Sequence, residues 1–169
     1  MNMNIKDLVS KYKKVGLKKS QVVYITSDFG KLISNLNFNK NKVLSNHFDA
    51  IQSIVGKNGT IVVPTATLNL CGTNKVFVPN DTQSYEMGAF SEYVRKKKGS
   101  KRSFHPLWSV SAYGKHAEYI TSNIPQNAFG YNSAFHRLVK KNAFCLCIGV
   151  DPRKSISTKT ILLLAIAEL

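Results

Sequence analysis

The sequence has few cysteines and no apolar run near its start. Its 169 residues include three cysteines, Cys71, Cys145 and Cys147. This odd number, with no C-x-x-C pair, excludes a disulfide framework and a structural zinc site, so no metal site is predicted. Cys145 and Cys147 stand two apart in an apolar stretch, and on a strand they would share a packed face. Residues 1–20 carry six lysines and resemble neither a secretory signal nor a membrane span. We therefore expect a cytoplasmic protein with reduced thiols and no membrane insertion.

Acidic residues are also scarce. Nine Asp and Glu stand against 24 Lys and Arg, which gives a formal net charge of +15 at pH 7. Such a field attracts anions, whether nucleic acid, lipid headgroups or a phosphate-bearing cofactor or substrate. The lysine runs at 96–98 and 140–141 fall at the ends of predicted helices, where they complement the negative end of the helix dipole. We therefore favour this role of the lysine runs at helix ends over a role in a nucleic-acid-binding surface. The 43% hydrophobic content is enough to bury a core.

Predicted elements alternate in type along the chain. Apolar spacing predicts a basic first helix near residues 5–12, a buried strand at 21–26, a helix over 43–55 and a strand at 60–63. This order favours a parallel pair of strands joined by a right-handed helical crossover. The later expected elements are a helix at 88–98, a strand at 108–113, a helix at 133–141 and a strand at 143–150. We predict one α/β domain with a mixed, largely parallel sheet and flanking helices.

Ligands of such sheets bind at the carboxyl ends of parallel strands. Here those ends are residues 26–29 and 64–67, both rich in hydroxyl groups. Neither segment is a glycine-rich phosphate motif, so the pattern indicates a place for a ligand and not its identity.

The central segment contains the candidate catalytic groups. His105 precedes Pro106, which favours an extended or turn conformation and presents the imidazole from a rigid loop. Its ordinary pKa lies near neutrality, so it can accept a proton from an amine or hydroxyl if a carboxylate orients it. Glu86 is the nearest acidic candidate. Two alternatives stay open: His105 as a hydrogen-bonded structural residue, and Glu86 as an ordinary helix cap.

Several short motifs of this sequence, and the order in which they occur along the chain, resemble those of the aminoglycoside 3-N-acetyltransferase family. The resemblance covers roughly residues 16 to 150, and its most specific part combines E-M-G-A-F with R-S-F-H-P-x-x-S-V. The motifs are V-P-T-x-T (63–67), F-x-P (77–79), E-M-G-A-F (86–90), R-S-F-H-P-x-x-S-V-x-A-x-G (102–114), F-G (129–130) and the apolar strand that leads into 148–150.

The resemblance implies an enzyme linked to antibiotic resistance, an α/β acetyltransferase that moves an acetyl group from acetyl-CoA to an amine of an amino sugar. It implies His105 as the general base, and we expect Glu86 to hold the second imidazole nitrogen. It also implies that the loop after the first strand cradles the CoA diphosphate. The expected cofactor-binding residues are Thr26, Ser27, Asp28 and Phe29 at the diphosphate, with Thr65, Ser103, Ser109 and Phe129 along the pantetheine arm.

Two features depart from the family pattern. Members usually have H-S-S-L after the first strand, whereas Asp28 here places a carboxylate where phosphates are expected. Members also continue past the Gly-Val strand into a T-x-x-H-x-x-E block, whereas this sequence has a divergent tail, 151–169, that ends in ILLLAIAEL. A short homologue, a truncated or frameshifted reading frame, and an inactive relative all fit this ending. We favour truncation: residues 1–169 form one acetyltransferase-like domain without its C-terminal portion.

The positive net charge of the chain bears on the identity of the acetyl acceptor and on the alternative functions. Because the positive field opposes a polycationic aminoglycoside, an amino sugar on an anionic carrier, such as a nucleotide-linked sugar, is the favoured acceptor. An inactive family member with a structural or regulatory role is the first alternative. A basic nucleic-acid-binding module is the second alternative. Such a module should have its lysines on one face with aromatic residues among them, whereas the lysines of this sequence are scattered. An apolar tail packed on a second copy would produce a homodimer.

Overall fold

Helices and strands alternate in the computed structural model, which describes residues 4–30, 39–151 and 153. All but two residues of the predicted tail at 151–169 lie outside these ranges. The described helices are α1 (Ile5–Lys14), α2 (Lys40–Val55), α3 (Gly88–Arg95), α4 (Ala117–Thr121) and α5 (Ala134–Lys140), with a 3-10 turn at Leu68–Leu70. The described strands are β1 (Val22–Ser27), β2 (Thr60–Pro64), β3 (Lys101–Arg102), β4 (Val110–Gly114) and β5 (Phe144–Ile148).

The five strands form one mixed sheet in the order β3-β4-β2-β1-β5. The interior strand β1 runs parallel to both neighbours, with Val23 opposite Ile61 of β2 and opposite Phe144 of β5. Strand β4 is antiparallel to β2 and to the short edge strand β3. Helix α2 lies in the crossover between β1 and β2. The predicted α/β class, the mixed sheet and the strand–helix–strand unit are confirmed.

Two apolar cores lie on opposite faces of the sheet, because successive side chains of a strand point to opposite sides. Val23 and Ile25 of β1 belong to the core that also contains residues of α1, α2 and α3. Val22 and Tyr24 belong to the core formed with α4 and α5. Strand β1 is therefore buried on both faces, which explains its unbroken apolar sequence.

Side-chain caps and glycines explain where several helices begin and end. Asn39 accepts a hydrogen bond from the amide of Lys42 at the start of α2 (3.2 Å), and Gly56 ends the same helix with a φ of +67°. Ser133 caps α5 through the amide of His136 (3.2 Å). The predicted helix at 88–98 ends at Arg95, and the chain then turns through Gly99 with a φ of +92°.

A buried tyrosine–histidine pair joins α1 to α2. The Tyr12 hydroxyl hydrogen-bonds Nδ1 of His47, and the ring of Phe29 lies 4.7 Å from the imidazole centroid in an edge-to-face arrangement. Burial and, to a smaller extent, the charge of Lys11 lower the pKa of His47 to about 4. His47 is therefore a neutral core residue at pH 7. None of the described helices has the length and apolar character needed to cross a membrane.

Candidate active site

Polar segments from four parts of the chain meet at one edge of the sheet. Strands β1 and β2 are parallel and β4 is antiparallel to β2, so this edge holds the carboxyl ends of β1 and β2 and the amino end of β4. The segment before α3 reaches the same edge, since a Cβ added to Gly88 would lie only 3.0 Å from the carbonyl oxygen of Ser27. The edge is where the sequence predicts a ligand.

The segment after β2 anchors both candidate catalytic loops. The amide of Thr67 donates to the carbonyl of Leu107 (3.0 Å), which holds the loop of His105. The neighbouring carbonyl of Ala66 accepts from the amide of Tyr85 (2.8 Å), which holds the residue before Glu86. The structure thus brings the His105 loop and the Glu86 segment onto adjacent backbone groups.

His105 is buried, with 9% of its surface exposed, and the protein backbone fixes its ring. Nδ1 accepts hydrogen bonds from the amides of Leu107 (3.3 Å) and Trp108 (2.9 Å). Burial lowers the pKa of His105, whereas hydrogen bonds to the backbone of Gln126 and of His105 itself act in the opposite direction. The pKa lies below its ordinary value, so the imidazole is neutral at pH 7.

Glu86 is exposed and occupies a different part of the edge. No hydrogen bond connects it to His105 among the residues that the structure describes. Its backbone has a φ of +55°, a left-handed conformation that is uncommon outside glycine and often marks functional sites. Glu86 lines a cavity of about 610 Å³, together with Glu92, Lys96 and Lys97. The cavity therefore has residues of both charges in its lining and can admit a polar molecule.

The four residues predicted to bind the diphosphate have different surroundings, since some of them are buried and one is exposed. The Thr26 hydroxyl lies 3.2 Å from Sγ of Cys147, and Phe29 is 2% exposed and packs on Phe90. The Ser27 hydroxyl is buried and has no hydrogen-bond partner. The exposed carboxylate of Asp28 accepts from the amide of Gly30 (2.9 Å) and shapes the turn.

The hydroxyls predicted along the pantetheine arm are buried in an internal network. Ser109 Oγ donates to the carbonyl of Thr65 (2.7 Å), and Ser103 Oγ accepts from the amide of Val110 (3.0 Å). The ring of Phe129 packs on Trp108 at 5.2 Å. The structure explains these side chains as supports of the His105 loop, and their contact with a cofactor stays a prediction.

Sequence reasoning missed Arg102, although it begins the R-S-F-H-P block. Its guanidinium donates to the Ser109 hydroxyl (3.0 Å), to the carbonyl of Pro79 (3.1 Å), and to the carbonyls of Thr65 and Thr82. Burial lowers the pKa of Arg102 to about 10, and the charge of Arg95 also lowers it. Arg102 therefore joins three loops at the edge. The described residues hold no group of three or more His, Cys, Asp or Glu side chains able to bind a metal ion.

A family model for aminoglycoside 3-N-acetyltransferase matches residues 34–158. The chain belongs to this family. The match confirms the resemblance that the E-M-G-A-F and R-S-F-H-P-x-x-S-V motifs indicate, and these are the motifs that supply Glu86 and His105.

Solved structures with the same fold agree with the family. The YokD protein from Bacillus subtilis superposes with a TM-score of 0.80 at 22% identity, over 92% of this chain and 68% of that one. AAC-IIIb with CoASH gives 0.72 at 19% identity, over 85% and 58%. AAC-VIa bound to sisomicin gives 0.76 at 20% identity, over 94% and 63%. The chain spans 58% to 68% of the length of these three structures.

Proposed function

We propose that this chain carries the site of an acetyl-CoA-dependent N-acetyltransferase that acts on an amine of an amino sugar. The observation that carries the proposal is the neutral, backbone-fixed imidazole of His105 at the edge where the loops after β1 and β2 meet. Family membership supports the reaction class, and the structure of AAC-IIIb with CoASH supports the acetyl donor.

Ser27 is the group in this chain best placed to hold the donor. Acetyl-CoA would supply the acetyl group as a reactive thioester and would bring a diphosphate to the site. The Ser27 hydroxyl, buried and without a partner, can donate to a phosphate oxygen, and the start of α3 adds the positive end of a helix. The net charge of +15 favours the approach of this anion. The negative charge of Asp28 opposes the approach of this anion locally.

His105 would act as the general base. As the amine nitrogen bonds to the thioester carbonyl carbon, the imidazole takes the proton that the nitrogen loses. The carbon–sulfur bond then breaks, and the thiolate that leaves recovers a proton from the imidazolium. Proton transfer of this kind contributes about 10²- to 10⁴-fold to a rate.

Glu86 is better placed to bind the acceptor of the acetyl group than to hold the imidazole of His105. Its exposed carboxylate lines the 610 Å³ cavity, where it can bind the ammonium or hydroxyl groups of an amino sugar. Lys96 and Lys97 line the same cavity and can bind an anionic carrier. This mixture of charges supports an acceptor with an amine on one part and a negative group on another, such as a nucleotide-linked amino sugar, alongside the aminoglycosides of the family name.

Calorimetric titration with acetyl-CoA tests the proposal. We expect saturable binding, and we expect Ser27→Ala to weaken it about ten- to a hundredfold, because one hydrogen bond to a charged group is lost. Ser53→Ala removes a hydroxyl from the exposed surface of α2 and is the matched control, with unchanged affinity. Absence of binding at millimolar acetyl-CoA in moderate salt would contradict the proposed function.

A further inference from the structure

A second cavity adjoins the cavity that Glu86 lines, and the charged side chains around it are all basic. Its volume is about 370 Å³. Lys96 and Lys97 line both cavities, so the two share a wall at the end of α3. Within the ranges that the structure describes, no acid lines the second cavity, which we name the basic cavity. Its charged residues are Arg95, Lys96, Lys97, Lys98 and Arg102.

Arg102 brings a positive charge to the basic cavity without an acidic partner. Its hydrogen bonds go to neutral oxygens, namely the Ser109 hydroxyl (3.0 Å) and the carbonyls of Pro79 (3.1 Å), Thr65 and Thr82. No ion pair joins its guanidinium to an acid in the described part of the chain. Burial and, to a smaller extent, the charge of Arg95 lower the pKa of Arg102 to about 10, while the charge of Glu92 acts in the opposite direction. A further negative charge nearby would stabilise this cation.

Glu92 is the acid that pairs with this group of cations, and Arg95 and Ser84 take most of its hydrogen bonds. Its two carboxylate oxygens accept from Nε and Nη2 of Arg95, both at 2.9 Å, and Oε1 also accepts from the amide of Ser84 (2.9 Å). Its contact with Lys96 is long, 4.0 Å, and that lysine is exposed, so this pair is weak. Glu92 therefore neutralises Arg95 and leaves the charges of Arg102 and of the lysine run largely unbalanced among the described residues.

The three lysines differ in the contacts of their ammonium groups. Nζ of Lys97 lies 4.3 Å from the centroid of the Phe48 ring and 3.5 Å from the Tyr93 hydroxyl. Lys96 and Lys98 are exposed, and no hydrogen bond or ion pair of the Lys98 ammonium to another described residue is present. An ammonium has three donors, which suit the oxygens of a phosphate. Lys96 and Lys98 are therefore able to bind an anion directly.

We propose that the basic cavity binds the diphosphate of a nucleotide-linked amino sugar, with Lys96 and Lys98 as donors to its oxygens and Arg102 as a fixed charge beside them. This inference rests on the proposed function, in which Glu86 binds the amino sugar in the adjoining cavity. A nucleotide-linked sugar has its diphosphate bonded directly to the sugar, so the two binding sites must be neighbours. The wall that the two cavities share meets this requirement.

Acetyl-CoA also carries a diphosphate, but its proposed partner Ser27 lies at the other end of α3. Gly88, the first residue of α3, approaches the carbonyl of Ser27, whereas the basic cavity begins at Arg95, the last residue of this helix. The eight residues of α3 span about 12 Å. The two phosphate-binding sites are therefore separate, and variants can distinguish them.

Calorimetric titration with inorganic pyrophosphate tests the basic cavity without an acceptor. All proteins carry Ser27→Ala, so that the proposed CoA site contributes little. We expect Lys98→Gln to weaken pyrophosphate binding about tenfold, because one hydrogen bond to a charged group is lost. Lys57→Gln removes the same charge from the exposed turn between α2 and β2 and should change the affinity less than about twofold at about 0.1 M salt.

Equal pyrophosphate affinities with and without Lys98→Gln would overturn the proposal. Titration of Lys98→Gln with acetyl-CoA, in a chain that keeps Ser27, distinguishes the two sources of phosphate. We expect this affinity to stay within about twofold of the wild type, since the CoA diphosphate lies at the other end of α3. A loss of acetyl-CoA binding as large as the loss of pyrophosphate binding would assign the cavity to CoA and overturn the proposal.

Two acceptor probes extend the test to the substrate class. We expect the wild type to bind UDP-glucosamine at least about tenfold more tightly than glucosamine, which lacks the diphosphate, and Lys98→Gln to lose most of this difference. Equal affinity of the wild type for the two probes, or an unchanged difference in Lys98→Gln, would overturn the proposal. Absence of acetyl-CoA binding would instead contradict the proposed function, while the diphosphate site would still stand on the pyrophosphate titration.

Discussion

His105 has surroundings that keep it neutral and fix its ring, and a side chain in that state can work as a base. Burial is the larger influence and lowers its pKa, and the backbone hydrogen bonds hold the ring in one orientation. The His-Pro dipeptide predicted the rigid loop, and the family resemblance implied the role. The partners of the ring could not be predicted, because Nδ1 accepts from the backbone amides of Leu107 and Trp108, which no side-chain pattern reveals.

Replacing His105 should remove the proposed activity. We expect His105→Ala to lower kcat by about two to four orders of magnitude with little change in acetyl-CoA affinity, since the base acts on the amine and not on the diphosphate. Initial rates of acetyl transfer measure the change. His116→Gln, which alters a histidine at the start of α4, is the control. Turnover close to wild type in His105→Ala would exclude His105 from the mechanism.

The cysteines should differ in reactivity. Burial, with the nearby Cys147, raises the pKa of Cys145 to about 11, whereas Cys71 is exposed. Since the thiolate is the reactive form, iodoacetamide at pH 8 should modify Cys71 far faster than Cys145. Mass spectrometry of peptides at successive times measures both rates. Equal rates in folded protein would show that β5 is not packed as described.

At the scale of elements, hydrophobic spacing predicted each long helix and buried strand, because burial of one face sets the period of a helix and burial of both faces gives β1 its unbroken apolar run. Element ends were less predictable. The expected helix at 88–98 ends at Arg95, three residues early, because the run of lysines turns at Gly99. The two-residue strand β3 pairs Lys101 and Arg102 with β4, and so short an edge strand has no period to detect.

The contact between α1 and α2 should make stability depend on pH. His47 titrates near 6.5 when unfolded and near 4 when folded, so the unfolded state binds more protons between these values. The free energy of unfolding should therefore fall as pH drops from 6.5 toward 4, by about 2 to 3 kcal/mol.

Urea unfolding at pH 7 and at pH 4.5 measures that loss. The His47→Gln variant should lose less unfolding free energy between these two pH values, because no imidazole remains to be protonated. Tyr12→Phe removes the hydroxyl that bonds Nδ1 but keeps the histidine, and it should retain a pH dependence. Identical pH dependence in wild type and His47→Gln would show that His47 is not held neutral.

At the scale of the whole molecule, the sequence predicted the topology of the edge better than the contacts of individual residues. A parallel β1–β2 pair places the two following loops at one edge, as the order of the elements indicated. The sequence could not predict which polar side chains stay available there. Thr65, Ser103 and Ser109 make internal hydrogen bonds, whereas Ser27, among the predicted site residues that the structure describes, has a buried hydroxyl without a hydrogen-bond partner.

The net charge of +15 should appear as a salt dependence of cofactor binding. Raising ionic strength from about 0.05 M to about 0.5 M shortens the screening length about threefold and should weaken acetyl-CoA binding several-fold. Calorimetry at the two salt concentrations measures the change, with pantetheine, which lacks phosphate, as the control ligand. Equal salt dependence for both ligands would show that the field does not contribute through the phosphates.

The central claim is that this chain transfers an acetyl group with His105 as the base. The most direct test incubates wild type and His105→Ala with acetyl-CoA and a panel of amines that contains aminoglycosides and nucleotide-linked amino sugars, and detects acetylated products by mass spectrometry. We expect an acetylated amino sugar with the wild type and a yield lower by at least about a hundredfold with His105→Ala. Acetyl-CoA binding without any acetylated amine, or equal yields from the two proteins, would contradict it.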